Sequence, residues 1–344
     1  MKGLAFHAPG DVRYETLPDP DLTDARDALI RVTSCSICGS DLHLYHGGLG
    51  SPKHCFSIGH EAIGEVVEIG RGVTSLKAGD QVMIPGSVGC GACRPCVSGA
   101  INRCENGGMR VYGIGRGLGG CQTEAVVVPA ADFNAYVIPE GVSEDQALML
   151  TDSLPTAYLG CVNADIRPGS AVGVVGLGPI GLNAVEIAFV LGAGTVYAID
   201  LVPERRARAA ELGAIPLDPA VAVETIREQT RGRMLESTIE VVGSPITTDL
   251  AIELAGQEST VAVIGAGLER YDFPLLSAFR KGITFRPSVC SVQRYMPELV
   301  ALVRSGRLRP ERQISHRMKL SEGAEAYRLF DRREAGTLKM VLEP

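Results

Sequence analysis

The chain has 344 residues, with 45% hydrophobic and 21% charged side chains, ordinary values for a water-soluble fold of two domains. Its formal net charge of −7 leaves no basic footprint for nucleic acid, and no apolar run reaches the 18 residues of a membrane span. Ten cysteines without a secretory signal at the start of the sequence predict reduced thiols and a cytoplasmic protein.

The first 150 residues read as a mostly β unit. Short β-branched runs at Ala28–Val32, Gly64–Ile69, Gln81–Ile84 and Ala125–Pro129 are separated by Gly, Pro and Asp. Two groups of metal-ligand residue types interrupt them. The first is Cys38-Gly39-Ser40-Asp41-Leu42-His43 followed by Gly59-His60-Glu61, with Thr151-Asp152 further on. Three protein ligands and one open position define a catalytic zinc site, and Cys38, His60 and a carboxylate would supply them. Spacing alone leaves Cys35 competing with Cys38, and His43, His46 or His54 competing with His60.

The second group is Cys90, Cys93, Cys96 and Cys104, within C-G-A-C-R-P-C-x7-C. Two-residue spacings let neighbouring thiolates reach one ion in a tight turn, which Gly89, Gly91 and Pro95 suit. The last spacing of seven, with Pro95 between the second and third cysteines, departs from the ferredoxin run. Structural zinc in a lobe at 89–105 is therefore preferred over an iron–sulfur cluster or disulfides. Beyond it, Glu105–Gly120 carries seven glycines, including Gly113, Gly115 and Gly120, and reads as a flexible connection or a pocket-shaping loop.

After Pro155 strands and helices alternate, which predicts a parallel sheet covered on both faces. Strand candidates are Ala171–Val175, Thr195–Ile199, Thr238–Val242, Thr260–Ile264 and Ile283–Phe285. Helix candidates are Ile180–Leu191, Glu204–Leu212 and Thr247–Ala255. Gly176-Leu177-Gly178-Pro179-Ile180-Gly181 matches G-x-G-x-x-G between a buried strand and a helix, the context a dinucleotide site requires. Asp200 lies 24 residues after Gly176, where a carboxylate accepts from ribose hydroxyls and repels a 2′-phosphate. That predicts NAD over NADP, with Arg205 and Arg206 close enough to soften the preference. The bland alternative is that Asp200 only ends a strand and caps the next element. The tail adds helix candidates Arg294–Arg304 and Glu322–Phe330 and a strand at Leu338–Leu342.

The two metal motifs and the glycine fingerprint, together and in this order, resemble the zinc-dependent medium-chain alcohol dehydrogenases over essentially the whole chain. The branch of similar bacterial secondary-alcohol and threonine-type enzymes matches best. The resemblance implies an α/β protein in which a GroES-like β-barrel catalytic domain, residues 1–153 with the returning segment 290–344, flanks a Rossmann domain at 154–289. It implies two zinc ions per subunit and NAD. Cys38, His60 and Asp152 would hold the catalytic zinc, with Glu61 as alternate ligand; the better-known branch has a cysteine where Asp152 stands, and Cys161 is too far along to replace it. Cys90, Cys93, Cys96 and Cys104 would hold the structural zinc. Ser40 and His43 would relay the proton. Thr156 would lie near the nicotinamide and Lys339 near the cofactor. The activity implied is reversible hydride transfer between a primary or secondary alcohol and NAD, in a homodimer or homotetramer. Ile283–Val289 is the candidate edge for pairing. A zinc-free quinone or enoyl reductase and a non-enzymatic NADH- and zinc-binding protein are the alternatives.

Overall fold

The computed structural model describes all residues except 49–53, 115–116 and 268, and the backbone alone of Ala335. Gly115, one of the glycines of the 105–120 segment, thus lies outside the described residues. The chain forms two compact units, Met1–Pro155 with Ser291–Pro344, and Thr156–Cys290.

In the first unit the strand Ala28–Ile37 is central. It pairs antiparallel with Glu61–Ile69, Ala125–Val128 and the tail strand Lys339–Glu343. The seven-stranded sheet continues outward through Gln81–Ile84 and Tyr136–Val137 on one side and Ile314–Lys319 on the other. A three-stranded sheet of Asp11–Thr16, Lys2–Ala8 and Phe56–Ser57 packs with it around Leu4, Phe6, Ile30, Ala62, Ile84, Tyr327 and Leu342. Alternation along Ala28–Ile37 sends Cys35 into this core and Ser36 to the other face. Cys35 is therefore core, its thiol on the Leu342 carbonyl, and not a rival ligand. The β reading of this unit leaves out the helix Glu144–Leu150, which is short and closed by a Ser143–Gln146 capping box. It also leaves out the hairpin Lys2–Ala8/Asp11–Thr16.

The second unit is a six-stranded parallel sheet in the order Ile215–Leu217, Thr195–Ile199, Ala171–Val175, Leu235–Glu240, Ala255–Val263, Thr284–Pro287. That is the doubly wound dinucleotide-binding order. Helices Pro179–Val190, Pro203–Glu211, Pro219–Gln229 and Pro245–Leu254 connect the strands, each opening with proline at its first position, where the missing N–H costs nothing. The helix Pro219–Gln229 has no counterpart among the sequence candidates because Ala222 and Ile226 are its only buried residues. Ala255, expected to end the preceding helix, instead begins a strand.

Candidate functional site

The register of the central strands builds the first site. Ser36 stands opposite Glu61, and Ile37 opposite Met340. Cys38, one residue past the end of its strand, therefore meets His60–Glu61 and Lys339, the first residues at the starts of the paired strands. Asp152 follows the helix Glu144–Leu150, and Thr151 is tied by its carbonyl to the Gly86 N–H. One donor atom each of Cys38, His60, Glu61 and Asp152 lies within 4.8 Å of the others. The Cys38 Sγ is 3.5 Å from Asp152 Oδ2, and His60 Nε2 is 3.7 Å from the same oxygen.

These donors suit a dication. Burial opposes charge on His60, but the Asp41 and Asp152 carboxylates overcome it and raise its proton affinity well above the ordinary imidazole value. Burial also pushes the Cys38 thiol up, reinforced by Glu61 and Asp152. Burial likewise opposes the Asp152 carboxylate, yet His60 and Lys339 bring it below its usual range. The Glu61 Oε1 is buried with no protein partner. A ring of one imidazole, one thiol and two carboxylates with an orphaned oxygen is the donor chemistry of a zinc site with a replaceable fourth ligand.

The surrounding contacts hold that ring in place. Asp41 is 3% exposed; its Oδ2 accepts from the Cys38 N–H at 2.9 Å and its Oδ1 lies 3.1 Å from His60 Nδ1. With Nδ1 facing a carboxylate, Nε2 is left for a metal, the carboxylate–histidine–metal arrangement. Ser36 Oγ and the Lys339 ammonium both donate to Glu61 Oε2, the latter at 2.5 Å. Lys339 is 1% exposed and also reaches the Ile37 carbonyl at 3.4 Å. Burial opposes its charge, but Glu61 first, then Cys38 and Asp152, keep it protonated. The Lys339 ammonium is thus held between Glu61 and the Ile37 carbonyl. Ser40 Oγ is 3.3 Å from His60 Nε2, and His43 follows within the helix Asp41–Tyr45, half-buried. Of the rival histidines, His46 pairs with Asp331 and His54 is exposed.

Sequence reasoning misses Asp41 and Ser36 as site residues. Asp41 sits inside the Cys38–His43 motif, three residues from Cys38, and that spacing is its only local signal; Ser36 has none. The glycine-rich segment also contributes. A Cβ on Gly113 would sit 2.5 Å from the Gly59 nitrogen, and one on Gly120 2.1 Å from the Ile58 carbonyl. These two glycines therefore allow close packing against the residues that lead into His60, rather than serving as slack in a connection.

The four cysteines Cys90, Cys93, Cys96 and Cys104 likewise converge within 4.8 Å, and all are free thiols. The Cys90 and Cys96 sulfurs are 3.9 Å apart, close to the roughly 3.8 Å edge of a tetrahedron with 2.3 Å zinc–sulfur bonds. The Ala92 N–H, with Cys93 N–H and the Asn106 amide, lowers the Cys90 thiol to about 6, so it is readily a thiolate. Burial pushes Cys96 up to about 12, which a metal would have to overcome. Beneath the lobe, Asn134 bonds both the N–H and the carbonyl of Gly89, and Gln293 bridges from the Ser87 carbonyl to Asn134.

In the second unit, Gly176 has φ +97° and closes the turn after Ala171–Val175. A Cβ on Gly181 would lie 1.8 Å from the Gly176 carbonyl, whereas Gly178 faces open space at the helix N-terminus. Tight turn, close packing and free approach are the three glycine roles of a pyrophosphate site. Pro179 and Ile180 open that helix, directing its first N–H groups to the same place. Asp200 follows the strand Thr195–Ile199; its Oδ2 accepts from Leu177 N and its Oδ1 from Val202 N. The capping alternative is thus realised, yet a carboxylate offers about four acceptor sites, and two remain. The Arg205 guanidinium is 3.9 Å from Asp200 Oδ2, while Arg206 donates to the Asp200 and Leu201 carbonyls. Thr156 is half-buried near the start of the helix Ser153–Asn163.

Two family models match the chain: the alcohol dehydrogenase GroES-like domain over residues 24–140 and the zinc-binding dehydrogenase over residues 179–305. A probable zinc-binding alcohol dehydrogenase of Mycobacterium tuberculosis is 40% identical over 345 residues, covering all of this chain and 89% of that protein. The alcohol dehydrogenase of Thermus sp. ATN1 superposes with a TM-score of 0.93 at 39% identity, covering 100% of this chain and 99% of that one. A zinc-binding dehydrogenase of Sinorhizobium meliloti, solved with NADP, superposes with a TM-score of 0.84 at 28% identity, covering 100% and 99%.

Proposed function

We propose, because this chain belongs to the zinc-dependent medium-chain alcohol dehydrogenases, that it oxidises a primary or secondary alcohol to an aldehyde or ketone and passes the hydride to NAD. The observation that carries this is the ring of Cys38, His60, Glu61 and Asp152 within 4.8 Å, in a chain that also has an open pyrophosphate cradle at Gly178. Bound in these places, zinc supplies Lewis-acid stabilisation of negative charge on the substrate oxygen, and NAD supplies the hydride acceptor.

The chain's own residues do the rest. Cys38, His60 and Asp152 hold the catalytic metal. Glu61, anchored through Oε2 by Ser36 and Lys339, keeps Oε1 in reserve as the alternate ligand. Asp41 fixes the ring of His60. Ser40 takes the hydroxyl proton of the substrate, and His43 carries it toward solvent. Gly176, Gly178 and Gly181, with the N–H groups of Ile180 and Gly181 at the start of the helix, seat the pyrophosphate. Asp200 takes the adenosine ribose, and its charge disfavours a 2′-phosphate. Arg205, 3.9 Å from Asp200, and Arg206 are the cations placed to soften that preference. Thr156 lies toward the nicotinamide. Cys90, Cys93, Cys96 and Cys104 hold the second, structural zinc.

Self-association is supported by the edge strand Thr284–Pro287, whose neighbours Leu275, Leu276, Phe279 and Val289 are exposed apolar side chains. A homodimer through this edge is the proposed unit, with a homotetramer as its further assembly. Ten free thiols suit a reducing, cytoplasmic setting. Among the described residues, no helix is long and apolar enough to cross a membrane.

The test is Cys38→Ser. NADH formation from alcohols should fall about a thousandfold or more, the scale on which losing an electrostatic stabiliser acts, and the variant should hold about one zinc ion per subunit fewer than wild type. Undiminished turnover in a variant shown to have lost no metal would remove the assignment.

A further inference from the structure

The outer face of the three-stranded sheet carries donor residues that neither metal site uses. Leu4 and Phe6 of the strand Lys2–Ala8 point into the core, whereas His7, where the hairpin register shifts between Phe6 and Ala8, stays partly exposed. Phe6 pairs with Phe56 across the neighbouring strand, and His7 and Cys55 are the residues that follow and precede that pair. From the other flanking strand, Glu15 Oε2 reaches to 3.1 Å from His7 Nε2. One donor atom each of His7, Glu15 and Cys55 lies within 4.8 Å of the other two. Cys55 is a free, exposed thiol, and His7 and Glu15 are only partly covered. The nearby Asp11 is engaged by Arg13 through two hydrogen bonds, which leaves Glu15 as the carboxylate of this group.

We infer that His7, Glu15 and Cys55 form a third metal site, for a divalent cation of the zinc class, on the surface of the GroES-like unit. A His–Glu ion pair accounts for two of the three side chains but not for a thiol at the third corner. Imidazole, carboxylate and thiolate are the zinc donor set, and the ligand atoms of a tetrahedral ion stand about 3.3–3.8 Å apart. Cys55 is exposed and His7 and Glu15 are partly so, which leaves their side chains room to rotate toward that spacing. Water completes the shell. Two ligands come from the two strands of the hairpin Lys2–Thr16 and the third immediately precedes the strand Phe56–Ser57, so the ion pins the hairpin to the start of that strand. Binding displaces the Cys55 thiol proton to solvent.

The experiment uses the full-length holoprotein, titrated with zinc and then desalted. Wild type should retain about three zinc ions per subunit, and Cys55→Ser and His7→Ala about two, with alcohol oxidation unchanged in all. His54→Ala, altering the exposed histidine next to Cys55, should keep the third ion. In parallel, zinc should slow alkylation of Cys55, read by mass spectrometry, at least tenfold in wild type and not in His7→Ala. Saturation of wild type at about two ions, a third ion surviving both ligand variants, or alkylation of Cys55 indifferent to zinc would each overturn the site.

Discussion

Replacing Asp41 by asparagine tests whether the catalytic zinc is held from behind as well as by its own ligands. Two groups converge on this buried carboxylate: the Cys38 N–H, hydrogen-bonded at 2.9 Å, and His60 Nδ1, in an ion-pair contact at 3.1 Å. Asparagine has the same shape but one acceptor oxygen, so either Cys38 N–H or His60 Nδ1–H must face an amide NH2. The lost charge-assisted contact is worth about 1.5–3 kcal/mol. Carboxylates that hold the far nitrogen of a metal-binding histidine typically contribute 10- to 100-fold in metal affinity, about 1.4–2.7 kcal/mol, which agrees in size. Competition with a chelator should therefore strip about one zinc per subunit from the variant at 10- to 100-fold lower chelator concentration than from wild type. The structural ion should be unmoved. NADH formation should be restored in part by excess zinc. Unchanged zinc retention together with unchanged kcat/KM would refute the reasoning, because neither ligand would then depend on Asp41.

Three further outcomes follow from the same contacts. Gly181→Ala places a Cβ against the Gly176 carbonyl, so NADH binding measured by fluorescence should weaken about tenfold or more; wild-type affinity would count against the cradle. Asn134→Ala orphans the Gly89 N–H and carbonyl beneath the cysteine lobe, at about 1–3 kcal/mol for each group that water does not reach. Its melting temperature should fall and the structural zinc exchange faster, with kcat retained at low temperature. Asp132 accepts from both the N–H and hydroxyl groups of Thr74 and Ser75; burial opposes its charge, but these donors bring its carboxyl below 3.8. A folded-state value below the unfolded one means the contribution is present above about pH 4 and lost as pH falls through the folded value. Asp132→Ala should thus lower urea stability at pH 7 and narrow its gap to wild type below pH 4. An equal gap at both pH values would show that the carboxylate charge is not involved.

What the sequence discloses follows the range of each interaction. The cysteine lobe and the glycine fingerprint are local: their chemistry is written in spacings of two to seven residues, so both are legible from the order of residues alone. The choice of Cys38 over Cys35 is not, because it depends on strand phase, which sends Cys35 and Ile37 into the core and leaves Cys38 beyond the strand end. Lys339 can be singled out from the sequence, but its employment cannot. Its partner Glu61 is 278 residues away, and only the pairing of Lys339–Glu343 with Ala28–Ile37 brings the two together. Ser36 acquires its role in the same way, through its register with Glu61. Two helices leave no periodic trace for different reasons. Glu144–Leu150 spans only 7 residues, too few to repeat a buried stripe, and Pro219–Gln229 buries only Ala222 and Ile226.

The central claim, two zinc sites of which one serves hydride transfer to NAD, is tested most directly by one coupled measurement. Zinc per subunit is determined on purified Cys55→Ser protein, which lacks the proposed surface site, and NADH formation is followed across a panel of primary and secondary alcohols. About two ions with alcohol-dependent NADH formation is the predicted result. About one ion, with no alcohol turned over in the presence of added zinc, would contradict it.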